Sequence, residues 1–249
     1  MKNNFFFKKP FSNIYKKASK KSEVTSQILY GEKFKILSKN KEWIKIKSTF
    51  DNYIGYIENK DYVKKLFVNY KVFSLKAQVF NKLNKKNKNF LPFGSRIQVI
   101  GENKNYVEFE KNRWIKKKDI KKINHKEKNF SKIFRLFLKT KYVWGVKTFK
   151  GIDCSALLQI FNYYNETYYP RDTVDQIRYS KKKRSMKNFK KGDIIFWKGH
   201  VGLCLNQSKF IHAYGPRKKV LIMDIKETIN RIEKTANLKI KKVSNIRNY

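Results

Sequence analysis

The sequence predicts an α+β protein in which small β-barrels precede a mixed domain of helices and antiparallel strands. Two observations predict the β part: apolar and polar residues alternate in short runs, and the pattern of residues 13–65 recurs in residues 68–123. A third predicts the mixed part, because two apolar helical segments precede a run of strands after residue 124. We therefore expect domains at residues 1–66, 67–123 and 124–249.

The two β-domains are predicted from strand and turn signals. The segments FKILS and WIKIKS alternate with period two, and Gly31 marks a turn. In the second copy LPFGSRIQVI aligns with LYGEKFKIL, and NRWIKKKDIKK aligns with YIGYIENKDYV. Each copy predicts a five-strand barrel of about 55 residues, and the pair resembles the bacterial SH3-type wall-associated barrel. A single irregular β-domain is the alternative.

The third domain is predicted to begin with helices and to continue with strands. The segments SKIFRLFLKTKY and CSALLQIFNYY have the apolar spacing of helices. The segments GDIIFWKG, HVGLCLN, KFIHAYG and KVLIMDI are short, apolar and separated by brief turns, which is typical of antiparallel strands.

The chain is strongly basic, with a net charge of +41 from 60 Lys and Arg against 19 Asp and Glu. Such a field attracts polyanions, including nucleic acid and anionic wall polymers. The lysines are spread over every segment, which a Lys- and Asn-biased composition also explains. Because no nucleic-acid-binding motif is present, we expect weak electrostatic binding to anionic polymers and no specific nucleic-acid partner.

The sequence predicts no export signal. The first apolar run is only Phe5-Phe6-Phe7, shorter than a signal peptide requires, and no segment has the length of a membrane span. The sequence predicts a cytoplasmic protein without a membrane span, with the extracytoplasmic wall as the alternative.

Cys154 is a candidate nucleophile because it stands where the third domain's second helix is predicted to begin. Unpaired N–H groups and the helix dipole at such a position lower a thiol pKa and could hold an oxyanion. The alternative is a small buried residue that serves packing alone. Cys204 lies inside an apolar strand and is predicted to be core.

Two of the three histidines fall on neighbouring predicted strands. In a hairpin with a two-residue loop, His200 faces residue 213 to within one position, so His200 and His212 are neighbours. One imidazole can then act as a base and the other can orient it. A zinc site made with Cys154 is the alternative, although no closely spaced ligand pair is present. His125 is predicted to be solvated.

A family resemblance favours the catalytic interpretation. The segments YVWGVKTFKGIDCSALL, YYPRDTVDQ, KKGDIIFWKGHVGLCL and KFIHAYG occur in the order and spacing of the NlpC-type cell-wall cysteine peptidases. The resemblance covers about residues 130–232 and implies a papain-like fold, with helices packed on an antiparallel sheet. It implies that Cys154 is the nucleophile, His200 the base and His212 the residue that orients the base.

The resemblance also implies substrate-binding residues. Tyr142 matches a tyrosine near the nucleophile, and Asp153 and Ser155 flank the nucleophile itself. In members that act on free-amine peptides, the acid at Asp153 binds the substrate's ammonium, whereas a helix N-cap is its alternative role. Arg171 and Gln176 match a further family segment, and either contact the substrate or fix a loop.

Two positions depart from the family pattern. Val146 and Ala156 stand where the family usually has glycine, which puts substrate preference in doubt more than chemistry.

The implied activity is hydrolysis of peptidoglycan stem peptides at the γ-D-glutamyl–diamino acid bond of free-amine muropeptides, in cell-wall turnover or recycling, without metal or cofactor. The alternatives are a catalytically weak protein that binds wall material or polyanions, and an acyltransferase on the same Cys–His fold.

Overall fold

The computed structural model describes residues 4–81, 85–180 and 188–247 of the 249-residue chain. The chain divides into two compact units, Met1–Lys126 and Glu127–Tyr249. Among the described residues, the first unit consists of strands and one short 3-10 helix, whereas the second combines helices with an antiparallel sheet. No helix in the described ranges has the length and apolar character that crossing a membrane requires. The α+β class is therefore confirmed.

The first half of the first unit is one antiparallel sheet of seven strands. They are β1 (Asn4–Phe7), β2 (Phe11–Tyr15), β3 (Val24–Leu29), β4 (Lys33–Lys39), β5 (Trp43–Ser48), β6 (Ile54–Glu58) and β7 (Tyr62–Val63). Their order across the sheet is β3-β2-β6-β5-β4-β1-β7. The alternation predicted in WIKIKS appears as full burial of Ile44 and Ile46, with the lysines between and after them more exposed.

The second half forms a five-stranded sheet, ordered β10-β9-β14-β13-β12, and a three-stranded sheet, ordered β11-β8-β15. The strands are β8 (Tyr70–Val72), β9 (Lys76–Asn81), β10 (Lys85–Pro92), β11 (Arg96–Ile97), β12 (Gly101–Glu102), β13 (Tyr106–Glu110), β14 (Arg113–Lys116) and β15 (Ile120–Lys122). The strand predicted over 96–100 is shorter than expected, because the Val99 N–H donates to the Asn69 side chain instead of a strand neighbour.

The same backbone contact occurs once in each half of the first unit. Gly31 and Gly94 occupy corresponding turns with φ of +72° and +82°, a region that glycine enters without strain. The Gly31 N–H donates to the Phe7 carbonyl at 2.8 Å, and the Gly94 N–H donates to the Val72 carbonyl at 3.0 Å. This local repeat agrees with an internal duplication, while the presence of two separate barrels remains a prediction.

The two halves of the first unit share packing at Tyr30. Its ring lies in the core of the second half, edge-on to Phe109 with centroids 5.6 Å apart. Its hydroxyl donates to Glu110 at 2.6 Å, and Lys8 and Arg113 form ion pairs with the same carboxylate. This shared contact accounts for one compact unit across residues 1–126.

The second unit is built around a five-stranded antiparallel sheet ordered β21-β20-β19-β18-β22. Helix α2 packs on β19 and β20. The elements are α1 (Phe130–Leu136), β16 (Lys147–Thr148), β17 (Gly151–Ile152), α2 (Cys154–Tyr164), α3 (Thr173–Tyr179), β18 (Asp193–Trp197), β19 (His200–Cys204), β20 (Lys209–Tyr214), β21 (Lys219–Asp224), α4 (Ile225–Ala236) and β22 (Lys242–Asn245).

Most predicted elements of this unit are present. CSALLQIFNYY forms α2 at its predicted bounds, and the four predicted strands are β18 to β21. Helix α1 is shorter than predicted, because the chain leaves the helical conformation after Phe137 and Lys139 takes a left-handed φ of +67°. Helices α3 and α4 and strand β22 were not predicted.

Candidate active site

Cys154 is the first residue of α2, as its sequence context predicts. Asp153 is the N-cap, with extended backbone, and its Oδ1 accepts a hydrogen bond from the Ala156 N–H at 2.8 Å. The sulfur therefore lies at a helix N-terminus that is already capped by a carboxylate.

The Cys154 thiol is buried and protonated at rest. The residue is 3% exposed, and its Sγ donates to the Gly199 carbonyl at 3.8 Å. Burial, and secondly the charge of Asp153, raise its pKa to about 12, although backbone N–H groups of Val201 and Ser155 act in the opposite direction. The prediction of a lowered pKa is therefore wrong for the resting state, because the helix-terminal N–H groups are outweighed by desolvation.

The two predicted histidines meet across the β19–β20 hairpin. Leu203 lies opposite Ile211, one position from the register that a two-residue loop would give. The Nε2 of His200 and the Nδ1 of His212 are 2.9 Å apart. The predicted neighbour relationship is thus confirmed. Because the Cys154 sulfur contacts Gly199 and Val201, it lies beside the residues on either side of His200.

Met223 favours one protonation pattern of this pair. The Nε2 of His212 lies 3.4 Å from the Met223 sulfur, which carries no proton and accepts only weakly. This contact favours the tautomer of His212 with its proton on Nε2, because a lone pair there would face the lone pairs of the sulfur. In that tautomer the Nδ1 of His212 accepts from the Nε2–H of His200. The lone pair of His200 is then on Nδ1, and this nitrogen can accept a proton as a general base.

Both imidazoles are neutral in the resting site. Burial lowers the pKa of His200 to about 4. Burial, followed by repulsion from His200, lowers the pKa of His212 well below its usual value. Together with the protonated thiol, these shifts describe a neutral thiol and imidazole rather than a stored thiolate–imidazolium pair.

Tyr142 lies near Cys154 and lines the same cleft as His200. Burial raises the pKa of its phenol, and the nearby Cys154 and Asp153 raise it further. A Cβ built on Gly215 would lie 3.6 Å from the Tyr142 ring, an ordinary van der Waals distance, so the ring packs beside the turn at Gly215. Tyr142 therefore offers a protonated hydroxyl within electrostatic range of Cys154.

Asp153 is paired inside the protein. Its two oxygens accept from the Arg171 guanidinium at 3.0 and 2.5 Å, and the pair is almost completely buried. The Gly145 N–H donates to it at 2.9 Å and the Ser155 hydroxyl at 3.1 Å, while Arg171 also donates to the Ser155 oxygen at 2.8 Å. The cap and the loop-fixing ion pair are both present, and the predicted contact of Asp153 with a substrate ammonium would require this arrangement to open.

Gln176 fixes the loop before α3 to the start of α2. Its side-chain N–H₂ donates to the carbonyls of Ser155 and Pro170 at 2.9 and 3.0 Å. The residue is fully buried, so the loop-fixing alternative accounts for its place in the sequence motif.

Tyr142 and His200 line a cleft of about 580 Å³. Its remaining walls come from the turn before β19, the turn after β20, and α4 with the residues just after it. The cleft opens directly on the imidazole that could act as base.

The other sequence candidates lie elsewhere. Cys204 is fully buried in the core, as predicted. His125 is in the first unit and is half-buried against the Phe73 ring, with centroids 6.0 Å apart, so the prediction of a solvated side chain is wrong. Within the described ranges, no group of three or more His, Cys, Asp or Glu converges as metal ligands do.

The departures from the family pattern are buried. The Val146 carbonyl accepts from the Asp153 N–H at 3.1 Å, and Ala156 provides the N–H that Asp153 caps. Sequence reasoning missed Met223, because an apolar residue on a strand carries no signal that distinguishes a histidine partner from core.

Two protein-family models match parts of the chain. Residues 139–237 match the model of the NlpC/P60 family. Residues 14–61 match the model described as bacterial dipeptidyl-peptidase SH3 domain.

Individual proteins are also similar to the chain. The chain is 33% identical over 92 residues to the probable endopeptidase NlpC homolog of Haemophilus influenzae, which spans 35% of this chain and 49% of that protein. It is 24% identical over 230 residues to the gamma-D-glutamyl-L-lysine dipeptidyl-peptidase of Bacillus subtilis, which spans 83% of this chain and 77% of that protein. The crystal structure of an NlpC/P60 family protein from Bacillus cereus has the same fold, with a TM-score of 0.82 at 16% identity over 98% of this chain and 99% of that one.

Proposed function

We propose that the chain is a cysteine peptidase in which Cys154, His200 and His212 hydrolyse peptidoglycan stem peptides. The matches to the NlpC/P60 family and to the bacterial SH3 domain support this proposal. One observation carries the assignment of residues. The only thiol at a helix start among the described residues lies beside the turn that presents His200, whose ring contacts His212 at 2.9 Å.

The proposed reaction begins with proton transfer. When a peptide enters, the Cys154 thiol gives its proton to Nδ1 of His200, and the thiolate attacks the carbonyl carbon. His200 returns the proton to the leaving amine, and a thioester forms on the sulfur. Water, deprotonated by the same imidazole, then hydrolyses the thioester and restores the thiol.

The proposed oxyanion site uses groups that are already oriented. The backbone N–H of Cys154 lies in the first turn of α2, where helix N–H groups have no partner within the helix. The protonated Tyr142 hydroxyl, which is within electrostatic range of Cys154, is the proposed second donor.

We assign the scissile bond to the link between γ-D-glutamate and the diamino acid. The support is the Bacillus subtilis relative, whose name specifies a γ-D-glutamyl-L-lysine bond and which aligns with most of this chain. A matched pair of peptides tests the assignment: L-Ala-γ-D-Glu-L-Lys-D-Ala and its isomer with an ordinary α-glutamyl bond.

Mass spectrometry of the products should show L-Ala-D-Glu from the γ-linked peptide alone, and no product with Cys154→Ala. Equal cleavage of both isomers would overturn the bond assignment. Cleavage by Cys154→Ala would overturn the assignment of the nucleophile.

The free-amine preference is a separate proposal. A carboxylate next to the nucleophile could attract a substrate ammonium, although Asp153 is paired with Arg171 at 2.5 Å. We expect peptides with a free L-Ala amine to be cut faster than their N-acetylated forms. Equal rates would limit Asp153 to capping α2 and pairing with Arg171.

A further inference from the structure

The cleft beside His200 is basic and lacks acidic groups. Lys198, Arg217 and Arg231 line it, from the turn before β19, the turn after β20 and helix α4 respectively. No Asp or Glu is among the described residues that line it. Three separate elements therefore bring positive charge to one concave surface.

The lysine-rich composition of the chain does not account for the two arginines in this cleft. Only nine of the 60 basic residues in the chain are arginine, yet two of them are in this cleft. Arginine has a planar fork of donors that matches a carboxylate, whereas lysine presents a single point charge. A chain biased towards lysine has thus placed arginines where a planar anion would be recognised.

Arg231 has an unused donor. Its Nε is buried and has no hydrogen-bond partner among the described residues. Glu227 lies one helical turn earlier on α4, but within the described chain no ion pair joins the two side chains. Water does not reach this Nε, so a ligand would accept from the Nη groups of the same guanidinium, which are not among the buried unpartnered atoms. The unpartnered N–H costs free energy, and an anion bound beside it would offset part of that cost.

The proposed mechanism places the cleft on the leaving-group side of the site. The imidazole that protonates the leaving amine must face the half of the substrate that departs, and His200 lines this cleft. The thiol, which keeps the acyl half, is buried under the neighbouring turn.

We propose that Arg231 and Arg217 form a subsite for a carboxylate on the leaving half of the substrate. This inference rests on the proposed function, and it names what the leaving half must carry. The carboxylate accepts from both guanidinium groups, while Ile232 and Leu238 contact the aliphatic part of the diamino acid. The anion is either the peptide's C-terminal carboxylate or the side-chain carboxylate of a diamino diacid.

Three substrates distinguish these sources: L-Ala-γ-D-Glu-L-Lys-D-Ala, its C-terminal amide, and the amide in which meso-diaminopimelate replaces lysine. We expect kcat/KM for a carboxylate-bearing peptide to exceed that of the lysyl amide by about tenfold. A higher kcat/KM for the diaminopimelyl amide than for the lysyl amide identifies the side-chain carboxylate as the ligand. A higher kcat/KM for the first peptide than for its amide identifies the C-terminal carboxylate.

Two variants and a control locate the effect. Arg231→Gln and Arg217→Gln, on different elements, should each reduce the preference to about twofold or less, mainly through KM. Lys234→Gln, an exposed cation on the same helix, should leave it unchanged. Equal kcat/KM for the three substrates with wild-type protein would overturn the subsite while leaving the peptidase assignment intact.

A binding measurement separates the two proposals. Calorimetric titration of L-lysyl-D-alanine, meso-diaminopimelate and L-lysyl-D-alanine amide into Cys154→Ala requires no turnover. If no peptide is hydrolysed by wild-type protein but a carboxylate-bearing probe binds more tightly than the amide through Arg231, the subsite is supported and the proposed reaction fails. If neither carboxylate-bearing probe binds more tightly than the amide, the subsite proposal fails.

Discussion

Replacement of Arg171 by methionine tests whether the buried ion pair holds the start of α2 in place. The Arg171 and Asp153 side chains are 1% and 2% exposed, and their closest atoms are 2.5 Å apart. Methionine keeps the apolar stem of arginine but removes the cation, which leaves the carboxylate buried with only neutral donors.

The expected loss is large compared with that of a surface pair. Removing one partner of a buried ion pair costs about 3–5 kcal/mol of unfolding free energy. For a unit of this size that corresponds to a fall in Tm of roughly 10–20 °C. The exposed pair of Arg178 and Asp175, with side chains 77% and 56% exposed and 3.5 Å apart, provides the control, because such pairs contribute about 1 kcal/mol or less.

Differential scanning calorimetry of the whole chain measures both variants through the transition of the second unit. Asp153→Asn combined with Arg171→Met should recover part of the loss, since asparagine still caps a helix and carries no charge. If Arg171→Met lowers Tm no more than Arg178→Met, the pair does not support the site and the reasoning fails.

The remaining predictions concern the sulfur and the imidazoles. Cys154→Ala should abolish hydrolysis with an unchanged fold, whereas Cys204→Ala should retain activity; the reverse pattern in product assays would refute the site. His200→Ala should reduce kcat/KM more than His212→Asn, because the base takes part in every proton transfer and an orienting group can be replaced by another polar one. Alkylation of Cys154 by iodoacetamide should accelerate about tenfold per pH unit between pH 7 and 10, since its pKa is about 12; a plateau below pH 8 would contradict this. The His200 pKa is about 4 when folded and near 6.5 when unfolded, so stability is full above pH 6.5 and falls by about 3 kcal/mol towards pH 4; denaturant titrations should show a smaller fall for His200→Gln.

Local patterns allowed much of the site to be predicted. The acid, cysteine and apolar run at the start of α2 fixed its first residue, and period-two strands brought His200 and His212 together to within one register position. These features depend on neighbours in sequence, which a single chain displays directly.

Features that depend on tertiary packing were not predicted. The thiol pKa follows from burial beneath the turn at Gly199, and no local pattern reports the depth of a side chain. Helix α4 did carry a local signal, since Asp224 caps it by accepting from the Glu227 N–H at 3.1 Å and apolar residues follow at helical spacing. Its place as a wall of the cleft could not be read from that signal.

The protonated resting thiol also affects how fast the protein is inactivated by oxidation. Peroxide and disulfides react with thiolates much faster than with thiols, and oxidation past the sulfenic acid is not readily reversed. Cys154 is 3% exposed and has a raised pKa, so little thiolate exists until a peptide brings about proton transfer to His200. We therefore expect the unoccupied enzyme to survive oxidant exposure that inactivates a free thiol. Its oxidative lifetime should shorten as substrate occupancy rises.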